Sequence, residues 1–197
     1  MLLLLVAPLL MAVSGCPSEP GRDTTGVHRN GGGVLKSPEG ITSSIYAPKQ
    51  KHWTASWAAA EPCVAGNGPA VIDAIRYDFS VEPVSVRTVS FIAKNSRLSF
   101  GNAIGPPEEL RDGHPQGVPG RVVGDVAGVE ITNPCSKVPT KNIQQFITVM
   151  DVDERGAAID SYYIDYHTDE GSYTLKADYR MIACGTETEP EDCDPDV

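Results

Sequence analysis

The chain has 197 residues, a formal charge of −10 at pH 7 and a pI near 4.8. Residues 1–150 are nearly balanced, with 13 basic and 12 acidic side chains, whereas residues 151–197 hold 3 basic and 14 acidic ones. That distribution argues against nucleic-acid binding, which needs a basic footprint, and against electrostatic attraction to anionic lipid.

Residues 2–13 are uninterruptedly apolar, the length of a signal-peptide core and too short to span a bilayer. They lead into Val13-Ser14-Gly15-Cys16, which resembles a bacterial lipobox. In such a motif the cysteine receives a diacylglyceryl thioether and the chain is cut just before it. The resemblance implies that residues 1–15 are a lipoprotein signal peptide and that Cys16 is the lipidation site. It also implies that the mature protein is held on the outer face of the cell membrane. Two acyl chains anchor durably where one does not, at about 0.8 kcal/mol per buried methylene. No later stretch reaches 18 apolar residues, so no second span is expected.

Residues 16–40 read as an acylated N-terminus and flexible tether. From residue 17 the stretch holds six Gly and three Pro but only three large aliphatic side chains, Val27, Val34 and Leu35. The domain is expected over residues 41–185. Trp53 to Ala60 offers a short turn of helix at most. From Val71 the period is two, with Val71, Ile75, Tyr77, Phe79 and Val81 on one face and Arg76, Asp78 and Ser80 on the other. Residues 84–93 carry apolar side chains on both faces, as a strand covered on both sides does.

Residues 99–120 contain five Gly and four Pro, too many for a regular element. A loop of this length is either functional or a plain crossover. Its Glu108, Glu109, Arg111, Asp112 and His114 form the candidate binding loop. Residues 121–131 and 143–152 read as two more strands. Asp151 to Gly156 matches a calcium loop at positions 1, 3 and 6, but Arg155 and Tyr162 stand at positions 5 and 12. A polar turn is the better reading, and no metal site is assigned. Tyr162, Ile164 and Tyr166, then Tyr173 through Met181, alternate around a turn at residues 167–172 and predict a hairpin. Residues 186–197 form an acidic tail expected to stay solvated. The fold class is therefore all-β, an antiparallel sandwich of immunoglobulin-like or similar type.

With Cys16 acylated, Cys63, Cys135, Cys184 and Cys193 remain as an even set, which reads as two disulfides in an oxidising compartment. Three connectivities are open. Cys63–Cys135 with Cys184–Cys193 is favoured because the second bridge staples the acidic tail to the domain. None of the four sits at zinc-ligand spacing. No catalytic residue is assigned: the four histidines are scattered, and neither a G-x-S-x-G elbow nor an H-E-x-x-H helix occurs. No cofactor is implied.

Residues 60–185 are similar in pattern to uncharacterised lipoproteins of high-GC Gram-positive bacteria. The similarity rests on Cys63 before a strand, the Val71–Ala93 strand pair, Cys135 after a mid-domain strand and a last strand ending at Cys184. It implies a shared β fold and an extracytoplasmic home, with the membrane as partner through the lipid. Three functions are compatible. The first and favoured one is a non-catalytic module that binds another envelope protein. The second is a carrier of a small ligand such as a lipid or metal, and the third is an envelope enzyme. Replacing Cys16 with Ser is expected to move the protein to the soluble fraction on cell fractionation; unchanged membrane partitioning would contradict the anchor.

Overall fold

The computed structural model describes residues 29–30, 32–37, 41–46, 50–95, 100–109, 120–137 and 140–193. Among them the regular structure is strand, apart from one 3-10 turn at Pro190–Asp192. Two sheets pack face to face. The five-stranded sheet runs β8 (Asn102–Ile104), β4 (Trp53–Ala60), β11 (Lys141–Val152), β7 (Ser85–Asn95), β9 (Gly120–Asp125), and every pair is antiparallel.

The seven-stranded sheet is organised around β12 (Ala157–Thr168). One edge of β12 pairs with β6 (Ala70–Val81), which also carries β10 (Glu130–Ile131). Its other edge is shared by β13 (Gly171–Ala177) and β14 (Tyr179–Ala183). Beyond these lie β1 (Arg29–Asn30) on β13 and β3 (Ile41–Ile45) on β14, both parallel. A small third sheet joins β2 (Leu35–Lys36) to β5 (Cys63–Val64).

The all-β sandwich matches the sequence reading, but its pairing is not wholly antiparallel. Both parallel pairs involve the chain ahead of β4 and the last two strands, so the connections are long enough to avoid a tight turn. Trp53 to Ala60 is an eight-residue strand and not a helical turn. Its four alanines favour helix locally, yet Trp53, Ala55, Trp57 and Ala59 alternate and fill the inter-sheet core, between ladders to β8 and β11.

Residues 121–131 are two strands in different sheets, separated by a turn with Gly128 at φ +79°. The expected long strand after Tyr173 is likewise divided at Asp178, level with an irregularity in β12 at Asp160. In β6 the extra residue Asp73 shifts the phase, because Ile72 pairs with Tyr166 and Ala74 with Asp165. Ile72 therefore enters the core in place of Val71, while Ile75, Tyr77 and Phe79 pack as expected. A second irregularity around Ser80 turns Val81 onto the far face of the sheet, against Ala158, Ile182 and Cys184.

The inter-sheet space is filled by Trp57, Phe146 and Met150 from one sheet and Ile72, Tyr162 and Met181 from the other. Strand β7 is covered on both faces as predicted, although Val84 precedes it and is exposed: Val86 packs on the main core, and Val89 and Phe91 belong to a second cluster outside the five-stranded sheet. Phe100 and Ala103 complete that second cluster, with Phe91 and Phe100 meeting edge to face.

Residues 29–30 and 32–37, assigned from sequence to the tether, belong to the body. Leu35 is 1% exposed and lies in the main core. Its N–H donates to the Tyr166 hydroxyl at 3.2 Å. A Cβ on Gly33 would overlap that same hydroxyl, so only glycine lets the chain pass over the Tyr166–Tyr173 stack. The earlier part of the tether, the leader and Cys16 lie outside the described residues.

Both favoured disulfides are formed, Cys63–Cys135 and Cys184–Cys193. The tail is not simply solvated up to Cys193. Asp192 accepts from Arg180 at 3.0 Å, and the Asp192 carbonyl accepts from Ser44 at 2.7 Å. Residues 185–187 lie over the β11–β12 turn, where the Thr186 and Glu187 N–H groups donate to the Glu154 and Arg155 carbonyls. Leu35→Ala measures the revised boundary directly. A tether residue would give no effect, whereas loss of this core side chain is expected to cost about 2–4 kcal/mol in urea unfolding.

Candidate functional site

Strands β3 and β8 end the two sheets on the same side of the sandwich, and Asn102 Nδ2 donates to Ser43 Oγ across the gap at 2.9 Å. Between them runs a groove of about 290 Å³ lined by Ser44, Ile45, Tyr46, Asn102, Ala103 and Ile104. None of these side chains is charged. Tyr46 and Ile104 are exposed here, two of the five large apolar side chains exposed among the described residues.

The backbone of β8 adds directional groups. Ala58 N–H donates to the Gly101 carbonyl and Gly105 N–H to the Thr54 carbonyl, each at 2.7 Å. Residues 101, 103 and 105 therefore face β4, and the antiparallel pattern turns the N–H and C=O of Asn102 and Ile104 outward. Among the described residues no strand pairs with that edge. Proline, lysine and bulges commonly guard such edges, and Asn102–Ile104 contains none of them.

A second depression of about 340 Å³ lies at the sandwich end near the β11–β12 turn, lined by His52, Trp53, Thr54, Val84, Asp151 and Val152. Both Asp151 oxygens are engaged within the protein, accepting from Thr54 at 2.9 Å and Ser85 at 2.7 Å. A third, of about 110 Å³, adjoins the Cys63–Cys135 bridge. The space between the two sheets holds packed side chains.

Around Asp165 the outer face of the seven-stranded sheet is polar. Arg76 donates twice to Asp165, at 2.6 and 2.9 Å, and Thr174 donates to the same carboxylate at 2.6 Å. Arg76 also lies over the Tyr163 ring, whose hydroxyl donates to Asp78 at 2.6 Å. The hydrogen bond to Asp165 raises the Arg76 pKa above its ordinary value. With the Asp165 side chain only 10% exposed, this arrangement reads as satisfaction of a buried carboxylate.

The candidate loop residues separate. Glu108 sits in the turn after β8 and forms a two-pronged pair with Arg87 of β7, at 2.9 and 3.1 Å. Glu109 closes that turn through its N–H to the Pro106 carbonyl. The segment 105–109 thus lies on the outer face of the five-stranded sheet, tied across three strands from its own edge. Arg111, Asp112 and His114 lie outside the described residues. The groove residues were missed because Asn102–Ile104 is too short to show a period, and Ile41 and Ile45 are separated by three small polar residues.

Asp153 accepts the Arg155 N–H at 2.9 Å within the β11–β12 hairpin, so the calcium-like segment is a polar turn. Among the described residues no three His, Cys, Asp or Glu side chains gather as a metal site. No helix among them is long and apolar enough to cross a membrane. No protein-family model matches the chain, and a search of curated proteins returns no match.

The Arg87–Glu108 pair gives a pH signature. The hydrogen bond from Arg87 holds the Glu108 carboxyl below its ordinary value of 4.5. A depressed carboxylate stabilises the fold above its unfolded pKa, and that contribution disappears as pH falls through the lower folded value. Glu108→Gln should therefore cost about 0.2–1 kcal/mol at pH 7, the range of exposed pairs. The gap to the unaltered protein in urea unfolding should close on acidification below pH 4.5.

Proposed function

We propose that this chain is a lipoprotein anchored through Cys16 to the outer face of the cell membrane, with its sandwich serving as a non-catalytic docking module for another envelope protein. The two disulfides support an extracytoplasmic location, since such bridges persist in oxidising compartments. The lipobox-like sequence supports the anchor.

The open β3–β8 side carries the docking part of the reading. Outward-facing backbone groups on β8 suit an added strand, and an uncharged groove with Ile45, Tyr46 and Ile104 suits its alternate apolar side chains. The occupant is an extended, apolar-alternating segment of a partner protein. Affinity would come from main-chain hydrogen bonds and selectivity from the groove. The carrier reading, for a lipid or metal, has no comparable support: the inter-sheet volume is filled, and the charged pairs on the sheet face are satisfied internally.

A photoreactive phenylalanine analogue at Tyr46 tests the docking surface in intact cells. It should give a discrete protein adduct, whereas the same group at Val123, 52% exposed on the opposite sheet edge, should not. Ile104→Pro removes an outward N–H without touching the β4 ladder and should abolish the adduct, while Ile104→Val should keep it. Adducts that ignore the proline, or equal labelling from Val123, would remove strand addition as the mode.

A further inference from the structure

We infer that the sandwich stands with the β12–β13 turn toward the membrane and the β11–β12 turn outward, which orients the docking groove; the inference rests on Cys16 being the anchor. It follows from where the chain enters the fold. Strand β1 is parallel to β13 in the register Arg29–Tyr173 and Asn30–Thr174. Strand β13 runs away from the Asp169–Glu170 turn, since Thr168 pairs with Gly171 and Tyr166 with Tyr173. Arg29 is therefore the end of β1 nearer that turn, and Cys16 lies on its N-terminal side in the sequence.

Length makes the entry point decisive. The thirteen peptide steps from Cys16 to Arg29 span at most roughly 45 Å at full extension. Strand β12, twelve residues long, covers about 40 Å from one end of the sandwich to the other. For the β11–β12 turn to touch the bilayer, the connecting chain would have to span roughly 30 Å, from the level of Tyr166 to that of Ala157, well beyond the roughly 20 Å that a flexible chain of thirteen steps averages. Ordering every residue in one conformation costs about 1–2 kcal/mol each, and residues 17–28 carry a single large aliphatic side chain, Val27, with which to offset it. With the β12–β13 turn inward, no such extension is required.

Charge favours a gap at the near end. Asp169 and Glu170 are exposed at the membrane-facing turn. Repulsion from an anionic leaflet would act over about a Debye length, roughly 8–10 Å, and so keep the turn near the headgroups without contact.

The orientation sorts the surface. Near the membrane lie Ile72 opposite Tyr166, Ile131 opposite Ala70, and the Cys63–Cys135 bridge. Away from it lie Val152 opposite Trp53, the depression beside His52 and Val84, and the Cys184–Cys193 bridge. The groove belongs to the outer half, because Ile104 is level with Ala55 and Met150, and Ile45 with Ala183 and Ala157. A partner strand could then reach the groove without contacting lipid.

The test is paramagnetic broadening by lipid-borne gadolinium in nanodiscs, read at backbone amides by NMR. The lipoprotein isolated from its own membrane is measured first. The chain from Cys16 onward, coupled through that thiol to a maleimide lipid, is measured beside it. Amides of residues 169–171 should lose most of their intensity and those of residues 154–156 should keep theirs. Equal broadening at the two turns, or stronger broadening at residues 154–156, overturns the orientation. Mass spectrometry of the isolated protein reports acylation separately. An unacylated Cys16 would therefore sink the anchor alone, while the coupled form still decides which end faces the bilayer.

Discussion

The sandwich depends on tyrosine hydroxyls that cross its interior and find partners on the opposite side. Strand β4 carries an extra residue, Ala59, because Phe146 pairs with Ala60 and Ile147 with Ala58. The Ala59 carbonyl thus lies off the ladder, and Tyr162 of the other sheet donates to it at 2.6 Å. Tyr77 makes the equivalent link from β6, contacting the hydroxyls of Thr88 and Thr148 on β7 and β11. Tyr166 accepts the Leu35 N–H and so binds the entering chain. Each is a polar tip on an apolar body, and inside the core each must be paired or cost about 1–3 kcal/mol. The pairings of Tyr162 and Tyr77 tie the two sheets together at fixed points. Burial drives the Tyr77 and Tyr162 pKa values upward, so these hydroxyls keep their protons well into the alkaline range.

Around that interior, β12 is paired along both edges, and the irregularity at Asp160 decides what each edge can hold. On one side it coincides with Ser80, which donates to Asp160 at 3.0 Å. On the other it is where β13 ends and β14 begins. The parallel edge strands β1 and β3 then attach to two different strands, so the tether side and the groove side of this sheet are structurally separate.

The chain's small residues set the close approaches. Gly33 lies where the entering segment crosses Tyr166 and Tyr173. Gly156 and Gly185 meet backbone to backbone where the tail crosses the β11–β12 turn, and a Cβ on either would strike the other's neighbourhood. Gly156 also takes φ +86°, which a side chain would strain. With Cys184–Cys193 next to it, this contact turns an acidic segment that would repel itself into part of the body.

The sequence by itself determined the class of the fold. Alternation over Ile75, Tyr77 and Phe79, the apolar double face of residues 84–93 and the hairpin around residues 167–172 are local signals, readable because a strand's period of two is written in neighbouring residues. The disulfide pairing was also favoured on chain arguments that the structure bears out. Only the tertiary structure decided what depends on distant partners. The residue displaced at Asp73, the strand fate of Trp53 to Ala60 and the burial of Leu35 each follow from a strand far off in sequence. The groove is the extreme case: Ile45 and Ile104 are unremarkable in their own segments, and only the ends of two sheets, brought together by the tyrosine-linked core, set them side by side.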